Sequence, residues 1–361
     1  MIDYKLHIPG PVQVSQDAYK ALIRPVMGHR SADFVDLYNQ CQPLLQKLFL
    51  TEDPVFLSTS SAWGVMEGAV RNLSSKKTLC CACGAFSDKW LDVAKRCGKE
   101  ADSLSVEWGE NISPGALDEK LSTGEFDLVT LVHNETSCGM MNPLEEITQV
   151  LAKYPDVLSV VDTVSSFSVV PIPKDSWGID VILTGSQKAL ALPPGLALFS
   201  VSERAFQRAK QIEGRGYYFD FIEFLKNHEK GMTPSTPVIP LIYGLLYTLE
   251  QIFEEGVENR FARHDMLNQK VHDWIYSKGF ELLPKKEFAS KSLSCVKNNL
   301  NMDVAGFVKA LREEKKLSID GGYGKIKGKT FRISNMGNEN AESIDFLLNQ
   351  MDQLLDRFLP A

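Results

Sequence analysis

Asp162 and Lys188 stand where a carboxylate and an amine would meet. Asp162 ends the apolar run Val157–Val161, and Lys188 follows the run Ile179–Leu183 through Thr-Gly-Ser-Gln. In an open parallel sheet, ligands collect beyond the carboxyl ends of the strands. Two such runs would therefore deliver both groups to one edge. Gly185 permits a tight turn before the lysine. The Ala-Leu-Ala-Leu-Pro-Pro-Gly that follows surrounds the amine with apolar groups, which lowers its pKa and makes it a nucleophile. Taken singly, Asp162 reads as a helix cap and Lys188 as a solvated loop residue. Together they suit pyridoxal phosphate, which needs a lysine for its Schiff base and a carboxylate to keep its ring nitrogen protonated.

The elements that would position this pair are short apolar runs alternating with helix-like segments. Thr78–Ala82, Leu128–Val132, Val157–Val161, Val181–Thr184 and Leu196–Val201 read as strands. Val65–Leu73, Asp88–Cys97 and Leu144–Ala152 read as helices. Runs apolar on both faces indicate parallel strands covered by helices on either side, an α/β sandwich. Residues 1–15 read as an extended arm, with Pro9 and Pro11 around Gly10. From Ile239 to Lys278 the apolar spacing predicts one long helix. Beyond it the pattern is strand Leu293–Lys297, helix Val304–Glu314, strand Thr330–Ser334 and helix Ala341–Phe358. The expected division is an arm (1–15), a large domain (16–260) and a small C-terminal α+β domain (261–361).

Composition narrows the function class. The chain has 361 residues, 44% of them hydrophobic and 24% charged, with 39 basic against 46 acidic side chains and a net charge of −7. That balance fits a folded globular protein and argues against nucleic acid or an anionic membrane as partner. No apolar stretch reaches the roughly 18 residues of a membrane span. The N-terminus lacks the patterns of secretory and transit peptides, so a cytoplasmic location is expected. Seven unevenly spread cysteines fit a reducing compartment. Cys80, Cys81 and Cys83 lie in an apolar run without a second ligand pair, so no metal site is expected. There is no G-x-G-x-x-G after a strand, no G-x-S-x-G and no H-E-x-x-H. Gly322–Thr330 resembles a P-loop, but it leads into the strand-like Phe-Arg-Ile-Ser and not into a helix.

Ser60–Val70 (SSAWGVMEGAV), His133–Pro143 (HNETSCGMMNP), Val160–Ile172 (VVDTVSSFSVVPI) and Thr184–Ala197 (TGSQKALALPPGLA) resemble the class V aminotransferases in family order. The opening IPGPVQVS and the late FRISNMG are similar to the family's first and last motifs. The resemblance covers nearly the whole chain. It implies a fold-type I transferase: a large domain with a mainly parallel seven-stranded sheet between helices, and a smaller α+β domain. It also implies pyridoxal 5′-phosphate as cofactor and a homodimer with shared active sites.

Carried over position by position, the resemblance makes Lys188 the Schiff-base lysine and proton shuttle, and Asp162 the partner of the pyridine nitrogen. Ser61, Ala62, Trp63 and Gln187 would bind phosphate. Ser60 and Ala62 stand where the family usually holds glycine. Phe86 would stack on the cofactor ring, though an ordinary core phenylalanine fits the same position. Val164 would press on the ring's other face. Thr136 would bond the 3′ oxygen or ring substituents, and Thr236 would reach the neighbouring subunit's phosphate, with Thr233 the alternative. Phe331 and Ile333 share one strand face and Arg332 projects from the other. The family's carboxylate-binding arginine falls at Arg332, and the backbone of Gly10 would complete that site. Gly321–Gly328 reads as a flap before Arg332 or as a solvated hairpin.

The implied activity is transfer of an amino group from alanine or serine to glyoxylate or pyruvate with ping-pong kinetics. A 2-aminoethylphosphonate or phosphoserine transaminase would need a further cationic site, for which His29 and Arg30 are candidates. A lyase or desulfurase on the same fold would need a cysteine on a mobile loop; Cys138 and Cys295 do not suit that role. A non-catalytic binding protein is disfavoured by the intact Lys188, Asp162 and Arg332.

Overall fold

Apolar runs at five places in the chain have no polar face, and they become the middle of one sheet. A computed structural model of the chain describes residues 4–360; the first three residues of the expected arm, and Ala361, lie outside it. The main sheet comprises Val55–Ser58 (β1), Lys77–Ala82 (β2), Glu100–Ser105 (β3), Leu128–Val132 (β4), Leu158–Asp162 (β5), Val181–Gly185 (β6) and Ala197–Val201 (β7). Their spatial order is β1-β7-β6-β5-β4-β2-β3. Every residue of β1, β4, β5, β6 and β7 is buried. Alternate residues serve opposite faces: Leu131, Val161, Ile182 and Leu198 enter one core, while Val132, Val160, Leu183 and Phe199 enter the other. The polar β3 (Glu-Ala-Asp-Ser-Leu-Ser) lies at the sheet's edge, where charged side chains discourage further pairing.

One strand departs from the parallel reading of the apolar runs. β7 pairs antiparallel with both β1 and β6. Burial on both faces marks a strand as central and says nothing about its direction. Direction is decided by the connection, and residues 186–196 hold no crossover helix to reverse the chain twice. The Ser186 N–H instead bonds the Leu196 carbonyl at 2.9 Å, closing a compact return. Lys188 is carried in that return.

The single long helix predicted over Ile239–Lys278 is two helices, Ile239–Glu255 and Val257–Ser277. They meet at Gly256, whose φ of 85° lies outside the helical region and favours glycine. Hydrophobic spacing continues across the corner, so periodicity alone could not reveal it. Arg260 braces the corner. Its Nη1 donates to Glu255 Oε2 at 3.2 Å, its Nε to Ser168 Oγ at 2.7 Å and its Nη2 to the Ala189 carbonyl.

A third core is drawn from Leu267 to Leu355. Its sheet is antiparallel, in the order Glu281–Leu282 (β8), Leu293–Lys297 (β9) and Thr330–Ser334 (β10). The two-residue β8 is too short to register as a periodic pattern. The N-terminal segment joins this region, with Lys5–Leu6 running parallel to Leu317–Ser318. The chain then passes over the carboxyl end of β6, where the Val12 N–H bonds the Gln187 carbonyl at 3.1 Å. Among the described residues no helix is long and apolar enough to cross a membrane.

Arg260 is 2% exposed, and its removal would leave the Ser168 and Ala189 carbonyls without their donor, while Glu255 keeps Arg263. Arg260→Ala is expected to cost about 3 kcal/mol, read as a lowered denaturation midpoint with an unchanged slope.

Candidate active site

β4, β5 and β6 point their carboxyl ends at a cavity of about 270 Å³, lined by Asp162, Lys188, Gln187, Asn134 and Thr136 among others. Asp162 is the last residue of β5 and 4% exposed. One carboxylate oxygen accepts the Val164 N–H at 2.8 Å, an Asx-type bond that turns the chain out of the strand. Burial pushes its pKa up to about 7, against the Val164 N–H, and nearby Glu135 adds to the rise. Lys188 is pushed the other way, down to about 8, first by burial and then by the Arg332 guanidinium. Its Nζ donates to the Pro9 carbonyl of the N-terminal segment. Gly10 packs so closely that a Cβ there would lie 2.6 Å from Lys188 Cδ, and its φ is 108°. Only glycine allows the arm to lie across the lysine.

A second wall is the helix Ala62–Leu73. Ser61 is its N-cap in ordinary extended conformation, φ −75°, and its side chain makes no capping bond. The first-turn N–H groups of Ala62 and Trp63 have no acceptor within their own helix. Together with the helix dipole they suit an anion. No residue from Ser60 to Trp63 has a positive φ. Serine and alanine can therefore replace the family's glycines without backbone strain.

Phe86 lines the cavity from the first turn of the helix Ala85–Arg96. The buried carboxylate of Glu135 holds that turn, accepting from Ser87 N at 2.8 Å and Phe86 N at 3.3 Å, and from Ser137 Oγ at 2.6 Å. A Cβ on Gly84 would overlap the Glu135 side chain, so the close approach needs glycine. Val164 lines the cavity as well.

The residues present fit pyridoxal phosphate. Asn134 is 2% exposed, lines the cavity, and neither its amide nitrogen nor its oxygen has a partner. A buried amide left open in this way marks a place for a polar ligand. Asn134 lies in the His133–Pro143 motif but was not among the site residues read from sequence; only its unmet hydrogen bonds single it out. Thr136 Oγ1 is hydrogen-bonded to Ser165 Oγ. Asp162 offers an acceptor to a ring nitrogen, and the Ser61–Trp63 turn offers donors to a phosphate.

Arg332 reaches the same neighbourhood from β10. Phe331 and Ile333 enter the third core while Arg332, 4% exposed, turns the other way. Its Nη1 donates to the Thr136 carbonyl and its Nε to Asp320 Oδ1, each at 2.8 Å. The other edge of the fork is left for a ligand. Asp320, which the sequence reading passed over, pairs with Arg332 through the backbone too. Thr236 is not brought to this cavity. It is exposed, 3.5 Å from His29 Nε2, and Arg30 is occupied by the carbonyls of Thr233 and Pro234.

The profile of the family described as aminotransferase class V matches residues 12–345. An uncharacterized aminotransferase of Methanocaldococcus jannaschii is 37% identical over 92% of this chain and 87% of its own. The serine–glyoxylate aminotransferase of Methylorubrum extorquens is 32% identical over 94% and 88%. Among solved structures, the alanine–glyoxylate aminotransferase of a Nostoc species superimposes with a TM-score of 0.93 and 29% identity, over 98% of this chain and 96% of that one.

Gly10→Ala is expected to displace Lys188, lowering the near-visible absorbance of cofactor-loaded protein at a fixed cofactor concentration. For Asp162 the sign follows from a folded pKa raised from 3.8 to about 7. Its contribution to stability is most favourable below 3.8 and is lost as pH rises to about 7. Asp162→Asn is therefore expected to raise the melting temperature of cofactor-free protein, by a margin that widens between pH 4 and 7 and stays level above. The same substitution should weaken cofactor binding.

Proposed function

We propose, from the premise that this chain belongs to the class V aminotransferase family, that it moves an amino group from alanine or serine to glyoxylate or pyruvate in two alternating half-reactions. The chain is a pyridoxal-phosphate-dependent aminotransferase. The observation that carries the substrate class is the buried Arg332, held against cavity-lining Thr136 with one edge of its guanidinium unpaired among the described residues. Such a fork suits the α-carboxylate that small amino and 2-oxo acids share. Relatives named for serine with glyoxylate and alanine with glyoxylate support the same class.

Bound at this site, pyridoxal phosphate supplies an electron sink for the charge left when an amino acid loses its Cα proton. The chain's residues do the rest. Lys188 Nζ, lowered to about 8, holds enough neutral amine near pH 8 to act as nucleophile and then as base. It would take the proton from the donor's Cα and, in the second half-reaction, place one on the carbon that was the acceptor's carbonyl carbon. Asp162 would accept the hydrogen bond of the cofactor's protonated ring nitrogen, a pairing that favours its ionised form. Ser61, Ala62, Trp63 and Gln187 hold the phosphate. Phe86 and Val164 would pack on the cofactor's ring, and Asn134 and Thr136 would offer it hydrogen bonds. The Arg332 guanidinium clamps the α-carboxylate common to every donor and acceptor, and the Gly10 backbone completes that subsite.

Thr236, exposed and away from its own cavity, supports a homodimer in which it serves the neighbouring subunit. A division near residue 260, with an arm before residue 16, is supported by the separate core drawn from Leu267 onward. Free thiols throughout support a reducing, cytoplasmic setting. Two rival chemistries are disfavoured. Cys138 and Cys295 are fully buried with thiols pushed well up, Cys295 to about 12, which does not suit acceptance of sulfur. His29 and Arg30 are engaged with the 233–236 segment, which disfavours a phosphonate or phosphoserine substrate.

Purified protein is expected to be yellow, with a near-visible band that Lys188→Ala abolishes along with at least 10³ of the transfer rate. A panel of half-reactions, each read from that band, should rank alanine and serine above aspartate as donors. A colourless protein that takes up no added cofactor would overturn the reading.

A further inference from the structure

The segment between Asp320 and Thr330 does more than span a hairpin. Tyr323, half-buried, lies against two groups at once. Its ring stacks on Phe86 with centroids 5.4 Å apart and planes 24° apart. On the same tyrosine, the Arg332 guanidinium carbon sits 5.4 Å from the ring centroid. Phe86 belongs to the seven-stranded unit and Arg332 to the three-stranded sheet, so the ring bridges the two. Tyr323 was not singled out in the sequence, and its hydroxyl has no partner among the described residues.

We propose that Tyr323 is a positioning residue for Arg332, an aromatic strut that sets the guanidinium plane against the frame carrying Phe86. The proposal rests on the reading of Arg332 as the carboxylate clamp. Three observations support it. First, the guanidinium is held by Asp320 and by the Thr136 carbonyl, and it lies over the Tyr323 ring as a third, non-hydrogen-bonded contact. Second, the loop is tied to what it positions: Asp320 Oδ1 accepts both Arg332 Nε and the Gly322 N–H, each at 2.8 Å. Third, the loop is seated on the other unit. Lys325 Nζ lies 4.7 Å above the Trp108 ring, and Trp108 Nε1 bonds Asp88, on the same helix as Phe86, at 3.0 Å. Gly324 approaches Trp108 so closely that a Cβ would lie 3.0 Å from its ring.

A long, flexible arginine loses conformational freedom when it clamps a ligand, and ordering it beforehand reduces that loss. Such a strut acts on substrate binding in ground and transition states alike. Its removal should therefore raise KM and leave kcat nearly unchanged. The ring supplies the effect and the hydroxyl does not, so phenylalanine should substitute and an aliphatic side chain should not.

The experiment compares Tyr323→Phe, Tyr323→Leu and Arg332→Gln in the cofactor-loaded enzyme. It reads KM, kcat, the near-visible spectrum, and calorimetric binding of the unreactive carboxylate propionate. Tyr323→Leu is expected to raise KM for donor and acceptor about tenfold and to weaken propionate to a similar degree. Its kcat should stay within about threefold and its spectrum should be unchanged. Tyr323→Phe should match the wild type. The strut is overturned if Tyr323→Leu leaves KM and propionate affinity unchanged, if it lowers kcat alone, or if Tyr323→Phe behaves as Tyr323→Leu does. Should Tyr323→Leu not fold, Tyr323→Met carries the same comparison. Arg332→Gln separates the two readings: an unchanged KM there removes the clamp itself, whereas a raised KM with an inert Tyr323→Leu removes only the strut.

Discussion

Two ionisable groups buried without a full set of partners dominate this structure. Asp162 is driven toward its neutral form and Lys188 toward its free amine, each by loss of water. Either shift costs the folded chain a few kcal/mol that it recovers only when a ligand supplies the missing partners. The sheet makes the arrangement bearable. Two neighbouring strands buried on both faces carry it, with Asp162 paired to Leu183 across β5 and β6 and β6 running two residues further, so the surrounding cores hold the site rigid. The arm closes it from above, with Gly10 as the one residue small enough to lie against the lysine.

Around this pair, the charged neighbours are graded. Glu135 is buried and saturated with donors from Phe86, Ser87 and Ser137, so it serves as a structural anion while still raising Asp162. Arg332 depresses Lys188 but is itself restrained by Asp320. A low-dielectric pocket strengthens each of these interactions. The result is an amine with a lowered pKa close to an arginine that has one edge unpaired among the described residues. The net charge of −7 describes the outer surface and carries no information about this interior.

Much of this was legible before any coordinates. Asp162 and Lys188 could be placed because each ends or follows a largely apolar run, and strand ends are where parallel sheets bind. Arg332 could be assigned to a face because strand periodicity is two. Other features left no such trace. The direction of β7 depends on the connection before it, and both directions bury the same residues. The break at Gly256 sits inside an unbroken hydrophobic pattern. Asn134 is one polar residue among many until its burial and its missing partners are seen.

The sequence by itself determined where a buried carboxylate and amine would meet and which runs are central strands. These follow from side-chain type and from short-range periodicity, both of which are written along the chain. Only the tertiary structure decided what lies between those groups. Tyr323 meets Phe86 across 237 positions of sequence (323 − 86), and the Pro9 carbonyl meets Lys188 across 179 (188 − 9). Contacts at that separation arise when independent elements pack against one another. Their geometry is a property of the packed interior and not of any segment read alone.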